Sequence, residues 1–293
     1  MNKKVKTLII MALALGTLGS VMDLISPSIN IDRSVIFDEK SSVDAMATAP
    51  IISAKGAVLI GANGEMLYEK DADKILYPAS TTKIMTALLT LEILDEIQGS
   101  LDSVVEIPKD AVGIEGSSVH LVEGERVTVE ELLYGTMLQS GNDAATALAM
   151  CMGGNVPNFV KMMNDKAKEL GCTNTHFMNP SGLFDKNHYT TARDLAKISL
   201  YAMSNEAFRK IVGAKEWENR DASKRFVNKN KSVYQYDGAT GIKIGYTQKS
   251  GRTLVASANR EGKELIAVVL NDGNWFQDAY AMLDYGFEIL EVS

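Results

Sequence analysis

Thr253-Leu254-Val255-Ala256-Ser257-Ala258-Asn259, then Arg260-Glu261-Gly262-Lys263, then Glu264-Leu265-Ile266-Ala267-Val268-Val269-Leu270: the reading of this stretch decides the fold. The two apolar runs predict strands, and the four residues between them a turn. Upstream, Gly241–Ile244 predicts a third strand. Downstream, a helix is expected from about Phe276 to Leu290. At the other end of the chain, Ala57–Ile60 and Glu65–Tyr68 flank Asn63-Gly64, a strong hairpin signal. The middle is helical. Ile84, Met85, Leu88, Leu89, Leu91 and Ile93 have helical spacing after Pro78, and Gly99 is expected to stop that helix. Val127–Gln139 predicts a second helix, with Thr128 and Glu131 as a capping box. Asn142–Met152, Pro157–Leu170 and Thr191–Met203 predict three more. Strands, then helices, then strands again predict an α+β fold: one antiparallel sheet built from both chain ends, packed against a helical block.

Composition narrows the function. The chain has 293 residues, 46% hydrophobic and 23% charged, enough for a sizeable core. A net charge of −7 argues against a nucleic-acid partner, because phosphate contacts need a basic face. His120, His176 and His188 are dispersed and only two cysteines occur, so no metal site is expected. Cys151 and Cys172 read as two unlinked, buried thiols.

The N-terminus sets the compartment. Lys3, Lys4 and Lys6 precede an apolar run from Leu8 to Met22, the layout of a secretory signal. No clean small-residue pair closes the run, so residues 1–22 are either a signal peptide or a short uncleaved membrane anchor through residues 8–22. Both place the protein outside the cytoplasm, secreted or held at the outer face of the membrane. Residues 23–49 lack periodicity and read as a linker, leaving 50–293 as the catalytic domain.

Three segments carry chemistry. Ser80 and Lys83 are three apart at a helix start and share a face. A buried, uncharged lysine there can take the serine's proton, and the helix N-terminus offers N–H groups to an oxyanion. Ser140-Gly141-Asn142-Asp143 lies between two helices, where a hydroxyl and an amide can relay a proton and hold a substrate amide. A plain capping turn is the alternative. Lys243-Ile244-Gly245-Tyr246-Thr247 ends an edge-like strand, where lysine can hold an anion and glycine admits a substrate backbone.

In this order the three segments resemble the S-x-x-K, S-D-N and K-T-G set of penicillin-binding proteins and serine β-lactamases. With Tyr77-Pro78-Ala79-Ser80-Thr81-Thr82-Lys83-Ile84-Met85-Thr86-Ala87, Asn174-Thr175-His176-Phe177-Met178-Asn179-Pro180-Ser181-Gly182-Leu183 and Tyr189-Thr190-Thr191-Ala192-Arg193-Asp194-Leu195-Ala196, the chain resembles the serine-type D-Ala-D-Ala carboxypeptidases over about residues 50–290. The resemblance implies a β-lactamase/transpeptidase-like fold. It implies an enzyme that removes the terminal D-Ala from peptidoglycan stem pentapeptides through an acyl-enzyme, is acylated by penicillin and other β-lactams, and uses no cofactor. It implies Ser80 as nucleophile, Lys83 as general base and Ser140 as proton relay. Asn142, Lys243, Gly245, Tyr246 and Thr247 fall to substrate binding, with the N–H groups of Ser80 and Tyr246 as oxyanion hole.

Three departures stand against the family pattern. Ile244 replaces a threonine whose hydroxyl would bond the substrate carboxylate, a loss of about 1.5–3 kcal/mol. Thr247 is the neighbouring hydroxyl that could share that load. The loop Asn271-Asp272-Gly273-Asn274-Trp275-Phe276 lacks an arginine often found there. The sequence ends at Ser293, short of the β-rich domain and amphipathic tail of many relatives, so membrane contact is expected only from the N-terminal run. Two other readings remain open: a catalytically weak peptidoglycan-binding protein, favoured by Ile244, and a serine β-lactamase. The lactamase is disfavoured because no glutamate lies three residues before Asn179.

Overall fold

A computed structural model describes residues 48–292. The expectations for residues 1–22, and for most of the 23–49 linker, lie outside the described residues. The chain runs β1 (Gly56–Gly61), β2 (Met66–Lys70), a 3-10 turn (Ala79–Thr82), α1 (Lys83–Glu96), β3 (Val104–Glu106) and β4 (Arg126–Thr128). It continues through α2 (Val129–Leu138), α3 (Asn142–Gly153), α4 (Val156–Glu169), α5 (Ala192–Met203) and α6 (Glu206–Gly213). The last part is β5 (Glu216–Glu218), β6 (Arg225–Val227), α7 (Ser232–Gln235), β7 (Ala239–Thr247), β8 (Gly251–Arg260), β9 (Lys263–Leu270) and α8 (Trp275–Val292).

Five strands form the main sheet in the order β2-β1-β9-β8-β7, antiparallel throughout. The two chain ends meet in its middle: Leu59 lies opposite Ala267 and Val58 opposite Val268. The β8–β9 turn is tighter than the four residues the sequence suggests. Only Glu261 and Gly262 lie between the strands, at φ +52° and +82°. Two left-handed residues match the twist of a two-residue hairpin.

Alternate residues of each strand enter two separate cores. Val58, Ile60, Val255, Ile266 and Val268 face the helical block. Leu59, Leu254, Ala256, Leu265, Ala267 and Val269 face α8. A sheet covered on both faces needs apolar residues at nearly every position, which is why these strands lack polar alternation. The central α1 is buried from Lys83 through Leu91. A helix wrapped by protein on every side carries no polar stripe.

Local signals fix the remaining ends. Thr128 Oγ1 accepts from Glu131 N at 3.1 Å, as a capping residue should. The Glu131 carboxylate instead accepts from Lys224 Nζ at 2.6 Å. The expected helix start at Val127 is corrected: residues 126–128 pair with β3 as a strand before the cap. Cys172 is buried as expected, but Cys151 is only partly buried, and both thiols are free.

Candidate active site

The site begins at a strained turn. Ala79 has φ +49°, a conformation that costs a non-glycine residue about 1–2 kcal/mol, and Ser80 follows it. The Pro78 carbonyl holds the turn: it accepts from Thr81 Oγ1 at 2.6 Å, Thr253 Oγ1 at 3.1 Å and Thr81 N at 3.3 Å. Two glycines let the chain close around it. A Cβ on Gly182 would sit 1.8 Å from Ala79 O, and one on Gly245 would sit 2.9 Å from Ser80 N. Ser80 is therefore clasped between the 179–183 loop and the edge strand β7. It lies in the 3-10 turn, one residue pair ahead of the α-helix that Lys83 opens.

Lys83 is fully buried, and its Nζ has three neighbours. These are Ser80 Oγ at 3.2 Å, Asn142 Oδ1 at 2.6 Å and Ser181 O at 2.6 Å. Two of these are pure acceptors, and the two N–H groups of an uncharged amine satisfy them. The lone pair is then left for the Ser80 hydroxyl, which can donate. Electrostatics favour that form. Burial depresses the Lys83 amine well below the usual lysine range, and the nearby Lys243 charge depresses it further, against an opposing pull from Asp143.

Ser140 and Asn142 arrive at the α2–α3 junction. Ser140 is buried with φ +62°. Asn142 uses both ends of its amide, accepting from Lys83 and donating Nδ2 to Glu115 O at 2.6 Å. That pairing fixes which way the amide points. Asp143 beside it is buried and gathers the 118–121 segment. It accepts from Ser118 Oγ at 2.5 Å and from the N–H groups of Val119 and Leu121 at 3.0 and 3.2 Å.

The third segment is the end of β7. Lys243 is fully buried, and burial pushes its amine down to about 7, with Lys229 as the neighbouring charge. Its register partner Val255 faces the helical block, so Lys243 enters the site from the same side as Lys83. Gly245 touches the Ser80 turn as described. Tyr246, next along, is 62% exposed at the mouth. Thr247 is turned inward on its own hairpin: Oγ1 lies 2.9 Å from Ser250 Oγ and accepts from Ser250 N at 3.0 Å. Ile244 packs into the α8-side core, opposite Leu254. The missing loop arginine has a neighbour of like charge, because Arg252 on β8 donates Nη1 to Gly273 O at 3.1 Å.

The structure thus joins Ser80, Lys83 and Asn142 by direct hydrogen bonds. It brings Gly245 against Ser80 and sets Lys243 within charge range of Lys83. Sequence reasoning overlooked the 179–188 loop as machinery. Asn179 Oδ1 accepts from the N–H groups of Gly182 and Leu183 at 2.8 and 3.1 Å, which shapes the loop so that Ser181 O meets Lys83. His188 is buried behind it, with Nε2 2.8 Å from Thr82 Oγ1 and Nδ1 accepting from Met178 N at 3.2 Å. That second bond leaves the proton on Nε2, and burial holds the ring neutral, down to about 4. Asn179-Pro180-Ser181-Gly182 is legible as a turn, but its contact with residue 83 is not. Where a lactamase would need its glutamate, His176 instead bonds Asn187 O through Nδ1 at 2.7 Å.

Comparison with known proteins gives the family and the fold. A family model described as D-alanyl-D-alanine carboxypeptidase matches residues 43–274. The chain is 40% identical over 246 residues to the Bacillus subtilis D-alanyl-D-alanine carboxypeptidase DacF, covering 82% of this chain and 63% of that protein. It is 36% identical over 264 residues to the D-alanyl-D-alanine carboxypeptidase of Streptomyces sp. strain K15, covering 83% of this chain and 90% of that one. Among solved structures it is similar to the Streptomyces K15 DD-transpeptidase, with a TM-score of 0.72 and 35% identity over 83% of this chain and 98% of that chain. It is also similar to penicillin binding protein 6B from Escherichia coli, with a TM-score of 0.79 and 29% identity over 85% of this chain and 81% of that one. The chain spans just under two thirds of the length of the Bacillus relative.

Proposed function

Since this chain belongs to the D-alanyl-D-alanine carboxypeptidase family, we propose that it removes the terminal D-Ala from peptidoglycan stem pentapeptides outside the cytoplasm. The single observation that carries the reading is the Lys83 amine, buried without a paired carboxylate and set between Ser80 Oγ and two carbonyl acceptors. The uncharged amine takes the Ser80 proton as Oγ attacks the carbonyl of the penultimate D-Ala. The oxyanion that forms is held by the N–H groups of Ser80 and Tyr246 on opposite walls of the cleft. Collapse breaks the peptide bond, and the departing D-Ala nitrogen receives a proton through Ser140. Water then hydrolyses the Ser80 ester and frees the shortened peptide. Asn142, Lys243, Gly245 and Thr247 border the substrate, and Lys243 faces its terminal carboxylate. The basic and apolar run of residues 1–22 supports export, by secretion or by an N-terminal anchor.

A β-lactam places its strained amide where the D-Ala-D-Ala amide sits, so the same attack leaves a penicilloyl ester. Labelled penicillin tests the reading. The expected result is one label per chain, carried on Ser80, with slow release. Labelling with rapid turnover would mark a lactamase, and no labelling a binding protein. A second outcome for the ester has its own support: the K15 relative, covered almost in full, is a DD-transpeptidase. An amine acceptor in place of water gives that reaction. Product analysis with and without added glycyl peptide separates the two.

A further inference from the structure

One lysine whose charge reaches both buried lysines belongs to none of the three motifs. The segment 227–230 is bolted to the residues that lead into Ser140. Lys229 N donates to Leu138 O at 3.1 Å, and Gln139 Nε2 donates to Val227 O at 2.9 Å. Lys229 Nζ bends back onto Gln139 O at 2.8 Å, the carbonyl of the peptide that joins residue 139 to Ser140. The flanking Asn228 and Asn230 are buried and fix this segment from behind. Asn228 Nδ2 donates to Ala214 O at 2.9 Å, and its Oδ1 accepts from Asn230 N at 2.9 Å. Among the described residues, no carboxylate lies within ion-pair distance of Lys229. Its charge therefore stands uncompensated by a paired carboxylate.

We propose that Lys229 is a positioning residue for acylation, acting through the Ser140 turn and through its charge on the two buried lysines. The inference rests on the carboxypeptidase reading of the site. Its geometric part is the ammonium clamp on Gln139 O, which holds the peptide ahead of a left-handed Ser140. Its electrostatic part is repulsion. Around Lys83 stand Lys243 from β7, Asp143 from α3, His188 from the segment before α5, and Lys229. Asp143 alone is negative and favours the protonated amine, and His188 is neutral. Lys229 and Lys243 oppose that pull. Lys229 is also the charge that bears on Lys243. Burial is the larger cause at both lysines, and a cation at position 229 adds to it in keeping the Lys83–Lys243 pair short of protons, as a general base requires.

The test is the second-order rate of acylation by labelled penicillin as a function of pH, for wild type, Lys229→Met and Lys229→Arg. Protonation of the lysine pair sets the acid limb of that profile. Removing a nearby positive charge makes protonation easier, so in Lys229→Met the limb should move up by about half a pH unit or more. The rate near pH 7 should then fall roughly threefold to tenfold, while Lys229→Arg keeps the wild-type limb. Lys229 is exposed, so thermal melts of both variants should match wild type, and Lys229→Gln serves as a second neutral variant. A limb unmoved in both neutral variants overturns the proposal, whatever happens to the rate. Wild type that fails to react with penicillin at all overturns the carboxypeptidase reading instead.

Discussion

On the proposed reading, the buried amine of Lys83 serves in place of the histidine–carboxylate pair that serine hydrolases more often use. Its strength as a base comes from where it is placed. Lysine in water is protonated at neutral pH, but this one is buried, faces a second lysine, and has two of its three neighbours as acceptors. Ser80→Ala removes only a hydroxyl and should abolish penicillin labelling with an unchanged melting temperature. Lys83→Met should lower the acylation rate by about 10²–10⁴-fold, the contribution of a positioned base. Both are read by labelling followed by gel fluorography. Ile244 is a third case at this scale. Its side chain packs beside α8, on the last strand of the sheet. Thr247 spends its hydroxyl on Ser250, which leaves the carboxylate-binding place without that group. Ile244→Thr should cost about 1 kcal/mol of stability through lost packing. It should raise kcat/KM about tenfold on peptides ending in a free carboxylate. Peptides ending in an amide should show no gain. Equal rates on the free acid would mean another group already holds the carboxylate.

At the scale of elements, the site exists because β7 lies directly against the 3-10 turn. Gly245 makes that approach possible: a Cβ there would meet Thr253 Oγ1 at 2.5 Å and Ser80 N at 2.9 Å. Gly245→Ala should therefore push the strand away from Ser80 and open the proposed oxyanion hole. Loss of one such donor costs about 10²–10³ in rate, and acylation should fall by that amount. A melting temperature lowered only modestly, measured alongside, would show that the sheet survives. A Gly245→Ala protein acylating at the wild-type rate would deny the strand its role. This scale also separates what the sequence reveals from what it hides. Helices α1 to α5 are legible because their apolar spacing is local, and three of them have local caps as well. Thr128, Asn155 and Thr191 all accept from the N–H three residues on. The short pairs β3–β4 and β5–β6 are not legible at three residues each. What holds β5–β6 is distant: Trp217 stacks on Tyr134, 5.2 Å between ring centroids. Ser181 O and Lys229 escaped notice for the same reason, since their roles depend on contacts 98 and 90 residues away in sequence.

At the scale of the whole molecule, the fold buries Lys83 and Lys243 with no carboxylate bonded to either among the described residues. Lys243 has its amine near 7 when folded and near the ordinary lysine value of about 10.4 when unfolded. Between those values the unfolded chain binds a proton that the folded chain does not. Stability from this group therefore rises with pH above 7 and reaches its full penalty below it. Lys83, depressed by the same burial, adds in the same direction. Lys243→Met should thus unfold about 1–3 kcal/mol harder than wild type near pH 7, with the gap narrowing by pH 9, while its acylation is lost. Urea melts at the two pH values check this, and a gap independent of pH would contradict it. The motif spacing alone could group Ser80, Lys83, Asn142 and Lys243 by resemblance. Only the folded sheet, joined from both chain ends, explains how residues 80 and 245 come to touch.

The central claim is that Ser80, activated by Lys83, cleaves D-Ala-D-Ala. The direct measurement is release of free D-alanine from a synthetic pentapeptide ending in D-Ala-D-Ala, wild type against Ser80→Ala, with mass spectrometry of the trapped protein. Catalytic release by wild type, none by Ser80→Ala, and a peptidyl adduct on the peptide containing residue 80 are predicted. D-alanine release that persists in Ser80→Ala, or wild type that is acylated by penicillin yet frees no D-alanine from the peptide, would contradict the account.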